Sequence, residues 1–305
     1  MPVFLFETRP SLSPRNARAL GAVLANAFAL AGASVDAQRP TAPPPDRVPF
    51  RVPAIAQIKD TAYRTAAMRG RALLSATRDS LPSHVGNGLR CASCHLGEGV
   101  QAGALTWIGS YARFPQYRAR SGRVDLIEDR VNDCFIRSMN GRALDLNGRD
   151  MHDIVAYLAF LSSGVPVGGE VAGQGLTRLQ PLPSDPARGV TLYRSTCVRC
   201  HGAAGAGTNV APPLWGKSSY NTGAGMANVV TLASFVYALM PIDHAQRLTP
   251  QQAFDVATYI NTRPRPEFRG KAHDWPHGQK PFGADYQVLP EPFLSTSAAH
   301  PARAK

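Results

Sequence analysis

Apolar residues recur at helical spacing in two stretches of the chain that read like copies of one another. Asp150–Ser163, DMHDIVAYLAFLSS, and Thr249–Thr262, TPQQAFDVATYINT, both carry the periodicity of an amphipathic α-helix. Thr249 followed by Pro250 is a good start signal: a capping hydroxyl, then a residue whose missing N–H costs nothing in a first turn. Upstream, Gly70 with Leu73 and Gly189 with Leu192 repeat a second pattern at the same spacing. Two further stretches differ. Ala19–Ala33 is an apolar run too short to span a bilayer, and Arg9, Arg15 and Arg18 precede it. Val35–Ala37 then places small residues at the −3 and −1 positions of a cleavage site before Gln38, so residues 1–37 predict a signal peptide. After Thr262 the periodicity stops, and a Pro- and aromatic-rich tail follows.

The cysteines sharpen the repeat. Four of the five fall in two C-x-x-C-H motifs, Cys91-Ala-Ser-Cys94-His95 and Cys197-Val-Arg-Cys200-His201. A lone C-x-x-C reads equally as a redox disulfide or half a zinc site. Here both copies carry the trailing histidine and an export signal lies upstream, which points to attachment of c-type haem. Two thiols three positions apart each add to a vinyl group, and the next residue's imidazole becomes the proximal ligand. Tyr157 and Tyr259 lie 62 and 58 residues beyond His95 and His201, whereas Gly70 and Gly189 precede Cys91 and Cys197 by 21 and 8, so the first copy carries an insertion. Each half reads as helix, haem motif, loop, ligand loop and closing helix.

The fold class predicted is mainly α: two cytochrome c domains in tandem, each with one covalently bound haem, followed by an irregular tail. The boundaries fall at about 45–172 and 180–262, separated by a Gly- and Pro-rich linker. Residues 263–305 form the tail. Trp275, Phe282 and Tyr286 suggest that it packs along the body, with its last residues disordered.

Charge narrows the partners. The chain holds 33 Lys+Arg against 21 Asp+Glu, a net charge of +12. No nucleic-acid motif, aromatic–basic interleaving or polybasic block is present, and no apolar run is long enough to form a transmembrane segment. An acidic partner or a small anion remains, and arginine binds oxyanions bidentately.

The distal haem ligands are less sharply marked. In the second half Met240, followed by Pro241 and nine residues before Pro250, has the favoured placement, with Met226 as the alternative. His/Met ligation raises a haem's potential, as suits electron exit. The first half has no Met-Pro, and Met139, Met151, His152, His84 and Cys134 are all possible ligands. Cys134 stands between haem motif and closing helix, flanked by Arg130 and Arg137, which favour a thiolate. It reads equally as a small buried hydrophobe.

The stretch EDRVNDCFIRSMNG around Cys134, the two C-x-x-C-H motifs, GAGM followed by MP, and the DWP…P…Y tail together resemble the dihaem thiosulfate dehydrogenases of the tetrathionate-forming type. The resemblance runs from about Pro44 to Tyr286. It implies a periplasmic enzyme in which His95 and Cys134 bind the iron of an active-site haem, while His201 and Met240 bind that of an electron-transfer haem. It also implies two covalently attached haem c groups, thiosulfate and tetrathionate as substrate and product, and a soluble cytochrome c or similar electron acceptor. Some relatives place a lysine before that methionine as a further ligand; Leu239 stands there, so that ligand is absent. Some also run in reverse. Two dianions must meet for this chemistry, so Arg120, Arg130 and Arg137 are candidate anion binders, with Ser138 as a donor. A dihaem electron-transfer subunit, or a sulfur-oxidation cytochrome acting on a carrier protein, are the competing readings.

Overall fold

The computed structural model describes residues 47–284 and 286–288. The expected signal peptide and the end of the tail lie outside the described residues. Helices dominate, and the described strands form a single hairpin, Gln116–Arg118 with Arg123–Asp125, in which Tyr117 faces Val124.

Each half is built around one helix crossing. In the first, the opening helix Thr61–Ser75 is capped by Asp60, whose carboxylate accepts from the Tyr63 amide at 2.7 Å, and it crosses the closing helix Arg149–Phe160. In the second, the opening helix Pro186–Leu192, capped by Asp185, crosses the closing helix Pro250–Asn261. The Thr249–Pro250 start behaves as expected, with the threonine hydroxyl accepting from the Gln252 amide and the Gln252 side chain from the Thr249 amide.

The crossings explain the two glycines. A β-carbon on Gly70 would lie 1.9 Å from the carbonyl oxygen of Asp153, and one on Gly189 would lie 2.2 Å from that of Asp255. Both contacts are with backbone, so nothing flexible can give way. The residue before each glycine reinforces the crossing: Arg69 donates to Asp153 at 2.6 Å, and Arg188 grips Asp255 at 2.7 and 2.9 Å. Aromatic residues fill the space behind. Trp107 packs against His95 and Tyr157, and Trp215 against Tyr193 and Tyr259.

The halves are stitched together rather than strung apart. Gly88 donates to the Ser218 carbonyl at 2.8 Å, and the Asn87 side chain to that of Ser219 at 3.1 Å. The Gly- and Pro-rich linker lies on the body, where its Gly173 carbonyl accepts from Gly103 and its Leu179 amide donates to Ser234. The tail also follows the body: Thr222 donates to the Pro266 carbonyl, Trp275 to that of Arg120, and Val229 to that of Gly283. Trp275 is buried, but the Phe282 ring is 67% exposed, contrary to expectation. Its backbone makes the contact instead, through a carbonyl that accepts from Asn228. Among the described residues no helix is long and apolar enough to cross a membrane.

Candidate active site

Both C-x-x-C-H motifs occupy short turns, Cys91–Ser93 in the first half and Val198–His201 in the second. In each, the histidine's Nδ1 faces a backbone carbonyl, that of Leu105 for His95 and that of Pro212, 2.9 Å away, for His201. A carbonyl only accepts, so Nδ1 carries the proton and Nε2 is left as the lone-pair donor. Burial, only partly offset by the Leu105 bond, pushes the His95 pKa down to about 4, and burial lowers His201 as well. Both imidazoles are therefore neutral, as metal ligation requires. No disulfide joins any of the five cysteines, and burial pushes the Cys91 and Cys94 thiols up to about 12 and Cys197 to about 11.

A cavity of about 1510 Å³ runs along both motifs, lined by Cys94 and Leu96 of the first half and by Cys197, Cys200, His201 and Met240 of the second. That exceeds the roughly 300–1,000 Å³ of ordinary ligand pockets and leaves room for a macrocycle. Paired thiols, a histidine with the right tautomer and an apolar chamber fit covalently bound haem. Met226 lines the same cavity as Met240. The helix Val229–Leu239 ends at Met240, whose amide still donates to Val236.

Of the possible distal ligands in the first half, Met151 is fully buried in the closing helix, Met139 is 2% exposed, and His152 faces solvent. His84 Nδ1 lies within 3.2 Å of the Arg142 and Ala143 carbonyls. Cys134 stands elsewhere, at the junction where the helix Ile127–Asp133 widens into a π-helical turn, Cys134–Ser138. Such turns are rare and often mark functional sites. Cys134 is near enough to Cys91 and Cys94 to raise the pKa of both.

The arginines take distinct positions. Arg130 donates to the Cys134 sulfur at 2.7 Å. Arg137, 8% exposed, bonds Asp133 on one side and both oxygens of Asp274 on the other, and stacks over Phe268. Its donors are thereby committed to protein carboxylates. Arg120 donates to the Gly223 carbonyl, lies 3.8 Å from Asp274, and covers the Trp275 ring. Burial lowers the Arg120 pKa and Arg137 lowers it further. Burial pushes Asp133 upward, but Arg137, with Arg130 and Arg120, more than offsets this and leaves its pKa depressed. Ser138 is partly buried, and its carbonyl accepts from Asn87 at 2.8 Å.

Some members of this cluster were not anticipated. Arg118 lies on the hairpin two residues before Arg120, close enough to Arg130 for the charges to interact. Arg118 ends the strand and Arg120 stands in the turn that follows, so the short R-x-R run was the available signal. Asn221, from the second half, donates to the Ile136 carbonyl at 2.8 Å and to Asn140 at 3.1 Å, clamping the turn that carries Cys134. Nothing local in the sequence marks Asn221 or Asp274 for these tasks.

Residues 83–167 match the family described as SoxA/TsdA, cytochrome c domain, and residues 184–260 match cytochrome c oxidase, cbb3-type, subunit III. The chain is 44% identical over 241 residues to a thiosulfate dehydrogenase of Allochromatium vinosum, covering 75% of this chain and 89% of that protein. The chain belongs to the thiosulfate dehydrogenase family. A second thiosulfate dehydrogenase, from Psychrobacter arcticus, is 39% identical over 239 residues, 76% of this chain and 73% of the other. Among solved structures, thiosulfate dehydrogenase (TsdBA) from Marichromatium purpuratum superposes with a TM-score of 0.69 at 37% identity. That match covers 72% of this chain and 50% of the other, so the chain spans half the length of that structure's chain. The protein is thus an oxidoreductase of the thiosulfate dehydrogenase family, made of two tandem cytochrome c domains whose attachment motifs imply haem c.

Proposed function

We propose that this protein is an exported dihaem enzyme that joins two thiosulfates into tetrathionate at Cys134. The observation that carries the reading is the 2.7 Å bond from Arg130 to the Cys134 sulfur, on a π-helical turn edged by Arg118 and Arg120. A guanidinium beside the sulfur supplies a counter-charge for the thiolate, the form that attacks sulfur and binds iron. His95 and Cys134 would hold one iron, and His201 and Met240 the other. When bound, the two haem c groups accept electrons one at a time and pass them to an external acceptor.

The chain's own residues account for the rest. Arg130 and Arg120 draw in the thiosulfate dianion and screen its charge from the cysteine. Ser138 would donate its hydroxyl to a sulfonate oxygen. The Cys134 thiolate forms a bond to the outer sulfur of one thiosulfate as two electrons leave. A second thiosulfate attacks that outer sulfur, tetrathionate departs, and Cys134 leaves as thiolate again. Two thiosulfates give one tetrathionate and two electrons, with no proton required. Arg137, held by Asp133 and Asp274, positions the turn instead of touching substrate.

The test is thiosulfate-dependent reduction of an artificial acceptor by purified holoprotein, with tetrathionate measured as product. Cys134→Ala should lose turnover by several orders of magnitude, since a covalent step vanishes, and should alter the first haem's spectrum. A Cys134→Ala protein that makes tetrathionate at near wild-type rates would falsify the mechanism. Mass spectrometry of the periplasmic protein, showing a chain that starts near Gln38 and carries two haem masses, tests export and haem count.

A further inference from the structure

The consecutive tail residues Asp274 and Trp275 both meet the arginine cluster. Asp274, 3% exposed, takes a bidentate bond from Arg137 at 2.7 and 2.9 Å. The Tyr286 hydroxyl donates to the same carboxylate at 2.6 Å, and Arg120 Nε lies 3.8 Å away. Trp275, the next residue, puts its ring under the Arg120 guanidinium, 5.0 Å from the ring centroid, and its amide donates to the Arg120 carbonyl at 2.9 Å. Arg120 is thus fixed at backbone, ring and charge by two consecutive residues.

Trp275 adopts φ 53°, in the left-handed region. For a bulky side chain that conformation is strained and persists only where surrounding contacts enforce it. Its effect here is specific. The reversal at Trp275 sends its ring to Arg120 while the residue before it faces Arg137. The next residue, Pro276, sits so close to Gly122 in the hairpin turn that a β-carbon there would come within 2.4 Å.

We propose that Asp274 is a positioning residue for the anion site beside Cys134: it fixes Arg137 and, with Trp275, aims Arg120 at the incoming dianion. This rests on the proposed thiosulfate chemistry. Around the Cys134 turn Arg118, Arg120 and Arg137 face Asp125, Asp274 and Asp133, while Arg130 faces the Cys134 sulfur, so most of the positive charge is already balanced. Attraction then depends on where the unshared donors point more than on how many there are.

That arrangement gives a test whose sign is informative. Asp274→Asn removes a negative charge near the site. Charge alone would tighten binding of a dianion, whereas loss of aim weakens it. The expected result for the holoprotein is a KM for thiosulfate raised on the order of tenfold, with kcat changed much less, since ground-state and transition-state binding are lost together. The Cys134-dependent spectrum of the first haem should stay unchanged. Asp274→Glu, which restores the charge one methylene away, should recover part of the loss. If the Asn variant yields no holoprotein, the Glu variant carries the test with a smaller rise of the same sign.

Calorimetric binding of thiosulfate to ascorbate-reduced holoprotein, which cannot turn over, separates the two proposals. Wild type that binds thiosulfate but never oxidises it sinks the reaction, and the role of Asp274 is then read from Kd. A KM or Kd that is unchanged or lower in Asp274→Asn overturns the positioning role. So does a parallel loss of kcat and haem spectrum, which marks a merely structural residue. Wild type that neither binds nor oxidises thiosulfate overturns both.

Discussion

The guanidinium of Arg130 lies 2.7 Å from the sulfur of Cys134, across the junction where an α-helix widens into a π-turn. The two residues are four positions apart, so the helix itself fixes their approach. An arginine never loses its charge at physiological pH, and the sulfur therefore has a permanent counter-ion.

Arg130→Gln removes that charge and leaves only a shorter amide donor. The expected outcome is a rise in KM for thiosulfate together with a fall in kcat, each on the order of tenfold or more, because Arg130 serves both the dianion and the thiolate. Steady-state kinetics with an artificial acceptor checks it. Arg137→Gln should behave differently, losing thermal stability first, since it leaves Asp133 and the buried Asp274 without their partner.

Met240 and Met226 share one cavity with His201, so the second iron's ligand is decided by substitution. Met240→Ala should lower that haem's reduction potential and abolish the methionine–iron absorption band. Met226→Ala should leave both in place and cost stability as a core truncation, about 2–5 kcal/mol. Redox titration and optical spectra of the two holoproteins decide; the reverse pattern would transfer the ligand role to Met226.

Gly189→Ala inserts a methyl group 2.2 Å from the Asp255 carbonyl oxygen at the second helix crossing. The helices must separate, and overpacking of this kind costs about 1–3 kcal/mol. Thermal unfolding of the holoprotein should show a Tm lower by several degrees. Gly70→Ala should do the same in the first half, where the clearance is tighter still.

Asp255 links the crossing to pH. Burial would raise its pKa, but the bonds from Arg188, the Asp185 amide and Gln251 more than offset this, and the folded value lies below the ordinary one. A depressed carboxyl stabilises the fold above its unfolded pKa of about 4 and loses that contribution as pH falls through the folded value. The wild type should therefore lose stability more steeply than Asp255→Asn as the pH falls below about 4. Denaturation series across that range measure the difference, and parallel curves would exclude the linkage.

The parts of this fold legible in the sequence are those enforced locally. The closing helices announce themselves because each is half in the core and half in water, and Thr249-Pro250 fits the observed cap. Gly70 and Gly189 are visible as a repeat because each crossing demands a glycine. A third repeat went unread: Gly99 and Gly205 follow their haem histidines by four residues, and each lies against its half's tryptophan, Trp107 or Trp215. The helix Val229–Leu239 left no periodic trace because residues on nearly every side of it are buried, Val230, Leu232, Ala233, Ser234, Phe235 and Val236 among them. The hairpin strands are three residues long, too short for alternation to register. Around Cys134 the sequence offered arginines but not their assignments. Arg137 pairs with an aspartate 137 positions away, and no local pattern distinguishes that fate from Arg130's.

The clamp that Asn221 and the Gly223 carbonyl place on the Cys134 turn bears on how such a chain diversifies. The halves look like duplicated modules, each with its own haem motif, glycine crossing and tryptophan, and modules of that kind are readily exchanged. Here they are no longer interchangeable. A second half borrowed from another cytochrome c would bring a haem motif but not the amide and carbonyl that grip residues 136, 137 and 140. Sequence drift in the second half is therefore constrained by the Cys134 turn that the first half carries, and any exchange of the second half has to leave the 218–224 loop alone.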